Sequence, residues 1–329
     1  MTAWRSAAAL GLVCALAPAP AYAGPRTVAS HRLLTLQDED IFESSGLVDR
    51  GDVVYTNNDS GDDAVVYGVD PATGRTVSRT TYADSVEDVE AIAPGAHGTV
   101  WAGDTGDNRH RRDDVAVYRM VPGDGTHPGV RYTLTYPDGA HDAETLLVQP
   151  RTQRVFVVSK SVFGGTVYAA PRHPVAGSRP NRMRAFARVP GLVTDGSFFP
   201  DGRHVVLRTY STASVYTFPG FGLVGTVRLP DQPQGEGISV AADGRVLVSS
   251  EGVHADVLQI ALPASLTAPS ATAGSGPVAP PGARPAAGAS DSTAPRRGPL
   301  AWAGIALVSA VIAGAGYLTV RGSRVRGPR

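Results

Sequence analysis

Cysteine and lysine are almost absent from this sequence of 329 residues, which has one of each, Cys14 and Lys160. Because Cys14 lies in a segment predicted to be removed, we expect a mature protein without disulfides. The sequence also has no P-loop, no dinucleotide-binding glycine fingerprint, no His-Glu-x-x-His, no cysteine-based zinc pattern and no Gly-x-Ser-x-Gly. These absences argue against the nucleotide-binding, zinc-protease and serine-hydrolase classes that such motifs identify.

Long hydrophobic runs occur only near the two ends of the chain. Residues 1–23 combine Arg5, a short apolar run and a terminal Ala-Tyr-Ala, which is typical of a secretory signal peptide. Residues 300–320 carry no charge and have the length of a transmembrane helix, with a buried core helix as the alternative. The arginine-rich segment 321–329 follows, which predicts a cytoplasmic tail. We therefore expect a single-pass cell-membrane protein with an extracellular N-terminal domain.

The net charge of zero conceals an acidic domain. Residues 263–299 are rich in Pro, Ala, Gly and Ser, which is typical of an extended stalk. Residues 27–262 hold 29 of the 30 acidic residues but only 21 of the 30 basic ones, a net charge of about −8. A domain of this charge is a poor partner for nucleic acid or anionic lipid, so we expect no nucleic-acid binding.

A Val-Tyr dipeptide repeats through the acidic domain at intervals of about 50 residues. It occurs at 66–67, 117–118, 167–168 and 215–216, and Val257-Leu258 follows at the next interval. This period, in sequence rich in β-branched residues, predicts an all-β domain made of a circular array of small antiparallel sheets, a β-propeller.

Four strands can be assigned to each of five repeat units, except that the last unit lacks a fourth. The segment His31–Leu36 precedes the first unit and has no partner of its own. If it forms the outer strand of the last blade, the ring closes and no terminal sheet edge stays unpaired. The sequence thus predicts five four-stranded blades closed by the N-terminal strand, with six blades as the alternative.

Three short motifs carry a family resemblance: Glu43-Ser-Ser-Gly46, Gly103-Asp-Thr-Gly-Asp-Asn108 and Asp142-Ala-Glu144. With these, the repeat resembles secreted bacterial β-propellers of the broad WD40-like and phytase-like groups, in particular uncharacterised actinobacterial surface proteins. The resemblance implies the fold and an extracellular location. The Gly-His and Trp-Asp signatures of WD40 repeats are absent, so no WD40 interaction surface is transferred, and no phytase site can be matched residue by residue.

An acidic residue opens each repeat unit, and a polar loop follows the second strand of each. In a propeller blade these two positions meet on one face, around the mouth of the central channel. The predicted channel-mouth residues are Glu43, Glu90, Asp142, Glu144, Lys160, Asp195, Arg208, Glu236 and Glu251. Asp88, which like Asp142 stands two residues before an opening acid, adds to the same rim.

Clustered carboxylates predict a site for a hard cation, most plausibly Ca²⁺, which prefers six to eight oxygen ligands. The twice-used Asp-[Ser/Thr]-Gly-Asp loop supplies the metal candidates Asp59, Asp62, Asp104 and Asp107. The alternative interpretation is that these acids cap turns and pair with arginines or with Lys160.

These observations favour a membrane-tethered extracellular binding module, whose partner is a ligand or an envelope protein that meets the acidic channel mouth. Two alternatives stay open. One is a metal-dependent hydrolase of phosphoesters, lactones or glycans that uses the same rim. The other is a structural spacer of the cell envelope.

Overall fold

A computed structural model describes residues 25–59 and 63–267. All of these residues belong to one compact unit of the chain. The described chain folds into five separate β-sheets, with one short helix, α1 (Ala264–Thr267).

Each sheet is one blade, and its strands follow the chain from the centre of the ring outward, except for the outermost strand of the first, second and fifth blades. The first blade contains β2 (Ser44–Asp49), β3 (Val54–Asn58), β4 (Val65–Val69), β5 (Thr76–Thr81) and the short β9 (Gly125–Thr126). The second contains β6 (Val89–Pro94), β7 (Val100–Asp104), β8 (Val115–Met120), β10 (Val130–Thr135) and β14 (Gly177–Arg182).

The remaining three blades have four strands each. The third contains β11 (Ala143–Val148), β12 (Val155–Ser159), β13 (Gly165–Ala169) and β15 (Arg184–Val189). The fourth contains β16 (Asp195–Phe198), β17 (His204–Arg208), β18 (Thr212–Thr217) and β19 (Leu223–Arg228). The fifth contains β20 (Gly235–Val240), β21 (Val246–Ser250), β22 (Asp256–Ile260) and β1 (Ser30–Thr35).

The ring is closed by the N-terminal strand, as the sequence predicts. Strand β1 pairs antiparallel with β22, from Ser30 opposite Ile260 to Thr35 opposite Asp256. The innermost strands also contact one another around the ring, and β20 of the last blade contacts β2 of the first. The prediction of a five-bladed all-β propeller is therefore confirmed.

The hydrophobic core is divided into five clusters, one between each pair of neighbouring blades. The repeated Val-Tyr dipeptides contribute to these clusters, because successive residues of the third strand face opposite neighbouring blades. In β13, for example, Val167 packs towards the fourth blade and Tyr168 towards the second. This arrangement explains why the dipeptide recurs in the third strand of four blades.

Two outer strands, β9 and β14, were not predicted from the sequence. Each pairs in parallel with the outer strand of its blade, β9 with β5 and β14 with β10. Both are polar and mostly exposed, so neither shows the apolar alternation that identifies a strand.

No helix among residues 25–59 and 63–267 is long and apolar enough to cross a membrane. The predicted signal peptide (1–23), transmembrane helix (300–320) and tail (321–329) lie outside the described residues, as does nearly all of the predicted stalk (263–299).

Candidate cation site at the acidic channel mouth

The blades bring the opening acids and the loops after their second strands to one face. In the first three blades, a recurring backbone hydrogen bond holds the loop against the residue that precedes the inner strand. It joins Asp59 N to Glu43 O (2.9 Å), Gly106 N to Asp88 O (3.1 Å) and Lys160 N to Asp142 O (2.9 Å). The polar loops therefore surround the entrance of the channel, which we call the acidic mouth.

Three carboxylates from two neighbouring blades converge at the acidic mouth. Asp59 follows β3 of the first blade, whereas Asp88 and Glu90 lie at the start of β6 in the second. One oxygen atom from each lies within 4.8 Å of the others. Three carboxylate oxygens at this separation match part of the ligand shell of Ca²⁺, which takes six to eight oxygens at 2.3–2.6 Å.

Gly106 gives these carboxylates their space. A Cβ atom at this position would lie 2.3 Å from Asp88 Oδ2 and 2.3 Å from Glu90 Oε1. A methyl group there would force the two carboxylates to move, so glycine at this position lets them keep their converging arrangement. This residue belongs to the Asp104-Thr-Gly-Asp107 loop that the sequence singles out.

The electrostatics of the mouth favour protonated acids when no cation is bound. Burial, together with the charges of Asp59, Glu144 and Asp88, raises the pKa of Glu90 well above its usual value. Burial and the neighbouring charges of Glu236, Asp59 and Glu43 raise the pKa of Glu251 to about 7. A divalent cation would relieve the same repulsion by neutralising the carboxylates.

Glu144 and Lys160 form an ion pair beside this cluster. Burial raises the pKa of Glu144 to about 8 although the charge of Lys160 opposes it. Burial would lower the pKa of Lys160, but the charge of and hydrogen bond to Glu144 outweigh it and keep the ammonium protonated. The Lys160 Nζ atom also lies 5.2 Å from the centre of the Tyr210 ring.

One oxygen of Glu144 has no hydrogen-bond partner in the described part of the chain. This Oε2 atom is buried, and the side chain as a whole is only 9% exposed. A buried carboxylate oxygen in this state is costly unless a proton or a ligand occupies it. Because Glu144 is close enough to raise the pKa of Glu90, this oxygen is a second indication of a ligand at the mouth.

Arg208 and Asp195 are buried below the acidic mouth and stabilise the packing of two blades. Arg208 is fully buried and donates from Nη1 to Gly237 O (2.7 Å) and Ser249 O (2.8 Å). Burial lowers its pKa to about 10. Asp195 accepts a hydrogen bond from Ile238 N (2.8 Å), and burial raises its pKa well above the usual value. Both side chains thus join the fourth blade to the fifth.

Asp104 and Asp107, the two acids of the loop that contains Gly106, already have partners in neighbouring segments. Asp104 pairs with Arg112 at 2.8 Å and accepts a hydrogen bond from Asp88 N (3.0 Å). Asp107 accepts hydrogen bonds from the backbone nitrogens of Arg111 (2.8 Å) and Arg112 (2.9 Å). They shape the loop that carries Gly106, as the turn-capping interpretation expects, while Asp62 lies outside the described residues.

The remaining predicted residues lie around the same mouth. The Asp142 side chain accepts a hydrogen bond from Asp107 N (2.9 Å). Burial raises the pKa of Glu236, which lies close enough to Lys160 for the two charges to interact. Glu43 is half-buried, and its charge acts on Glu251.

Sequence reasoning placed Asp88 on this rim but did not join it to Asp59 and Glu90. It missed the role of Gly106, although the Asp-Thr-Gly-Asp repeat of a loop already assigned to the mouth was a usable signal. It also missed Arg112, whose guanidinium holds Asp104.

No protein-family model matches the sequence, and a comparison with curated proteins finds no match. Solved structures do match. A crystal structure of glucose dehydrogenase has a TM-score of 0.44 and 9% identity, over 71% of this chain and 100% of that one. A gluconolactonase from Xanthomonas campestris has a TM-score of 0.42 and 18% identity, over 76% of this chain and 100% of that one. Likenesses at this level carry no argument about activity.

Proposed function

We propose that this protein is a binding module whose acidic mouth holds a divalent cation, Ca²⁺, between Asp59, Asp88 and Glu90. The convergence of these three carboxylates within 4.8 Å is the observation that carries the proposal. Three protein ligands leave further positions of the coordination shell of Ca²⁺ for ligand oxygens or water. A ligand that offers carboxylate, phosphate or sugar oxygens would therefore complete the shell.

Exposed apolar side chains on the surrounding loops support a binding role. Phe163, in the loop after β12, is 92% exposed, and Leu192 lies on the adjoining loop, whose backbone nitrogen bonds to Ser161 O (3.2 Å). On the other side of the mouth, Phe42 and Val253 are exposed on loops joined by the Gly252 N to Phe42 O bond (2.8 Å). Exposed apolar groups around a polar centre are typical of interaction surfaces.

Thermal unfolding with and without Ca²⁺ tests the cation site. A cation that binds only the folded state raises its melting temperature, by about 5–10 °C at a hundredfold excess over the dissociation constant for a domain of this size. We expect this shift in the wild-type chain, its reversal by EDTA and its loss in Glu90→Gln. The matched control is Glu39→Gln, because the Glu39 side chain is 83% exposed. An identical Ca²⁺ response in wild type and Glu90→Gln would contradict the proposal.

A metal-dependent hydrolase is the second candidate, and the unpartnered Oε2 of Glu144 favours it. A carboxylate with a free oxygen beside a cation site can accept or donate a proton during hydrolysis. Assays with p-nitrophenyl phosphate and δ-valerolactone in Ca²⁺ would decide: hydrolysis that Glu144→Gln abolishes, without a loss of Ca²⁺ binding, supports the enzyme. No turnover of either substrate would leave binding as the function.

The location of the module is proposed from the sequence alone. The signal peptide and the apolar segment 300–320 support a propeller held outside the cell on a single membrane span. Protease added to intact cells should then degrade the propeller and leave a tag on segment 321–329 intact. Protection of the propeller, or loss of the tag, would contradict this orientation.

A further inference from the structure

The central channel has a second end, on the face opposite the acidic mouth. The inner strand of each blade ends there and turns into the second strand. A cavity of about 510 Å³ lies at this end, and all five blades contribute to its wall. Apolar side chains form much of that wall, among them Pro94, Val148, Phe198, Phe199 and Val240. We call this cavity the lower pocket.

Four charged residues line the lower pocket, and two of them neutralise each other. Arg245 contacts Asp49 through two hydrogen bonds, Nε to Oδ2 (2.8 Å) and Nη2 to Oδ1 (2.8 Å). The exposed Asp243 accepts a hydrogen bond from the Arg245 backbone nitrogen (2.9 Å). The fourth charged residue is Arg50.

The Arg50 guanidinium has no acidic partner among the described residues. Its Nη2 atom donates to Gly95 O (2.9 Å) and Thr99 O (2.6 Å), which fixes the group at the wall. Its Nε atom is buried and donates no hydrogen bond to any described residue. Burial lowers the pKa of Arg50, and the charge of Tyr55 opposes that shift. A guanidinium that is partly desolvated and has donors to spare is best satisfied by a carboxylate.

We propose that the lower pocket binds a small organic anion, a carboxylate with an apolar body. The carboxylate would accept hydrogen bonds from Arg50, and the body would lie against the apolar wall. The cavity volume falls within the roughly 300–1,000 Å³ of small-molecule sites, which combine apolar walls with a few fixed polar groups. The Arg50 guanidinium and the apolar wall are both held by turns of the closed ring, so the site is pre-formed in the absence of a ligand.

This site is independent of the cation at the acidic mouth. The residues of the two sites lie at opposite ends of the inner strands, and they share no side chain. Binding in the lower pocket should therefore be insensitive to EDTA and to Glu90→Gln, whereas Ca²⁺ binding should be insensitive to changes at Arg50. Failure of one proposal leaves the other standing.

The test uses 1-naphthoate as the anionic probe and 1-naphthamide as its neutral counterpart. Ligand-observed NMR on the full chain in detergent, with protein-free detergent as background, measures both affinities. We expect 1-naphthoate to bind more tightly than the amide, and Arg50→Gln to weaken it about tenfold, the size of one charged hydrogen bond. Arg172→Gln, at an exposed arginine outside the pocket, is the matched control and should leave the affinity unchanged.

A second variant keeps the proposal testable if Arg50→Gln fails to fold. Ala242 lines the pocket with an exposed side chain, so Ala242→Phe adds a ring there without removing a contact of the core. It should keep the wild-type melting temperature and abolish binding of 1-naphthoate. Equal affinities for naphthoate and naphthamide, unchanged binding in Ala242→Phe, or no binding to the wild type at millimolar probe would each overturn the proposal.

Discussion

The two ends of the central channel are made by the same five inner strands, yet they differ in chemistry. At the acidic mouth, buried carboxylates such as Glu90 and Glu144 crowd together and hold raised pKa values. At the lower pocket, prolines, phenylalanines and valines line the wall, and the charged pair Asp49–Arg245 is neutral as a unit. The acidic mouth is suited to cations, and the lower pocket is suited to anions that have an apolar body.

This difference shows how a repeated blade separates scaffold from function. The features common to all blades, the buried inner strand and the Val-Tyr strand, build the ring. The features that vary are the loops where the inner strand begins and the turns where it ends. A residue such as Glu90 is therefore repeated in kind by other blades, but within residues 25–59 and 63–267 the convergence of three carboxylates is found only for Asp59, Asp88 and Glu90.

The largest expected difference in the free energy of unfolding is between arginine-to-glutamine substitutions at the two ends of the channel. Arg208→Gln removes a fully buried guanidinium and leaves the carbonyls of Gly237 and Ser249 without donors. We expect a loss of about 3–5 kcal/mol in the free energy of unfolding. Arg50→Gln loses two hydrogen bonds at a half-buried site, which costs about 1 kcal/mol. Chemical denaturation of both variants measures the difference, and equal losses would contradict the structural role of Arg208.

A glycine substitution tests whether the acidic mouth is as tightly fitted as the structure indicates. In Gly106→Ala the new methyl group would clash with the carboxylates of Asp88 and Glu90. We expect a loss of about 1–3 kcal/mol in the free energy of unfolding, together with loss of the Ca²⁺-induced shift in melting temperature. Gly220→Ala is the control, since a Cβ atom at that position would have no neighbour within 4 Å. If Gly106→Ala keeps the Ca²⁺-induced shift in melting temperature, the glycine is not required for cation binding.

The pH dependence of stability should reveal the crowded carboxylates. The folded state raises the pKa of Glu251 to about 7 and that of Glu144 to about 8, whereas both are near 4.5 in the unfolded chain. Between these values the folded state binds more protons, so stability falls as pH rises from about 5 to 8. After discounting for solvent screening we expect about 1.4 kcal/mol, the equivalent of one pKa unit.

Thermal melts at pH 5 and pH 8 in EDTA would measure this dependence. Saturating Ca²⁺ should reduce it, because the cation replaces the protons. Glu251→Gln removes one of the two groups with a raised pKa and should flatten the profile. An apo protein that gains stability towards pH 8 would contradict the raised pKa values.

The architecture was predictable from the sequence because it depends on periodic signals. The Val-Tyr dipeptides mark the third strand of four blades, and the unpartnered His31–Leu36 segment indicates the closure that β1 provides. Strands β9 and β14 were not predictable, since their pairing with β5 and β10 depends on the path of connecting loops rather than on a pattern of apolar residues.

The candidate site was predictable only in part. Repeat alignment places Asp59, Asp88 and Glu90 on one face, but their convergence depends on how the first blade packs against the second. The lower pocket gave no sequence signal. Arg50 is one arginine in a turn, and its lack of an acidic partner within the described chain becomes visible only when the neighbouring turns are in place.

The smallest effect is expected at Asp195, where the acidic mouth meets the core. Its Oδ2 atom accepts a hydrogen bond from Ile238 N (2.8 Å), whereas Oδ1 is buried without a partner among residues 25–59 and 63–267. Because burial raises the pKa of this carboxyl well above its usual value, a neutral amide at this position removes a charge that burial already disfavours. Asp195→Asn keeps the acceptor for Ile238 and should change the free energy of unfolding by less than about 1 kcal/mol.

Asp49→Asn provides the comparison at the other end. It removes the charge of the carboxylate and one of the two oxygen atoms that accept hydrogen bonds from Arg245, so it should cost more, about 2 kcal/mol. Urea denaturation at pH 7 measures both. A larger loss in Asp195→Asn than in Asp49→Asn would mean that Asp195 is ionised in the folded protein, and that the charge of Arg208 on the adjacent strand governs it more strongly than burial does.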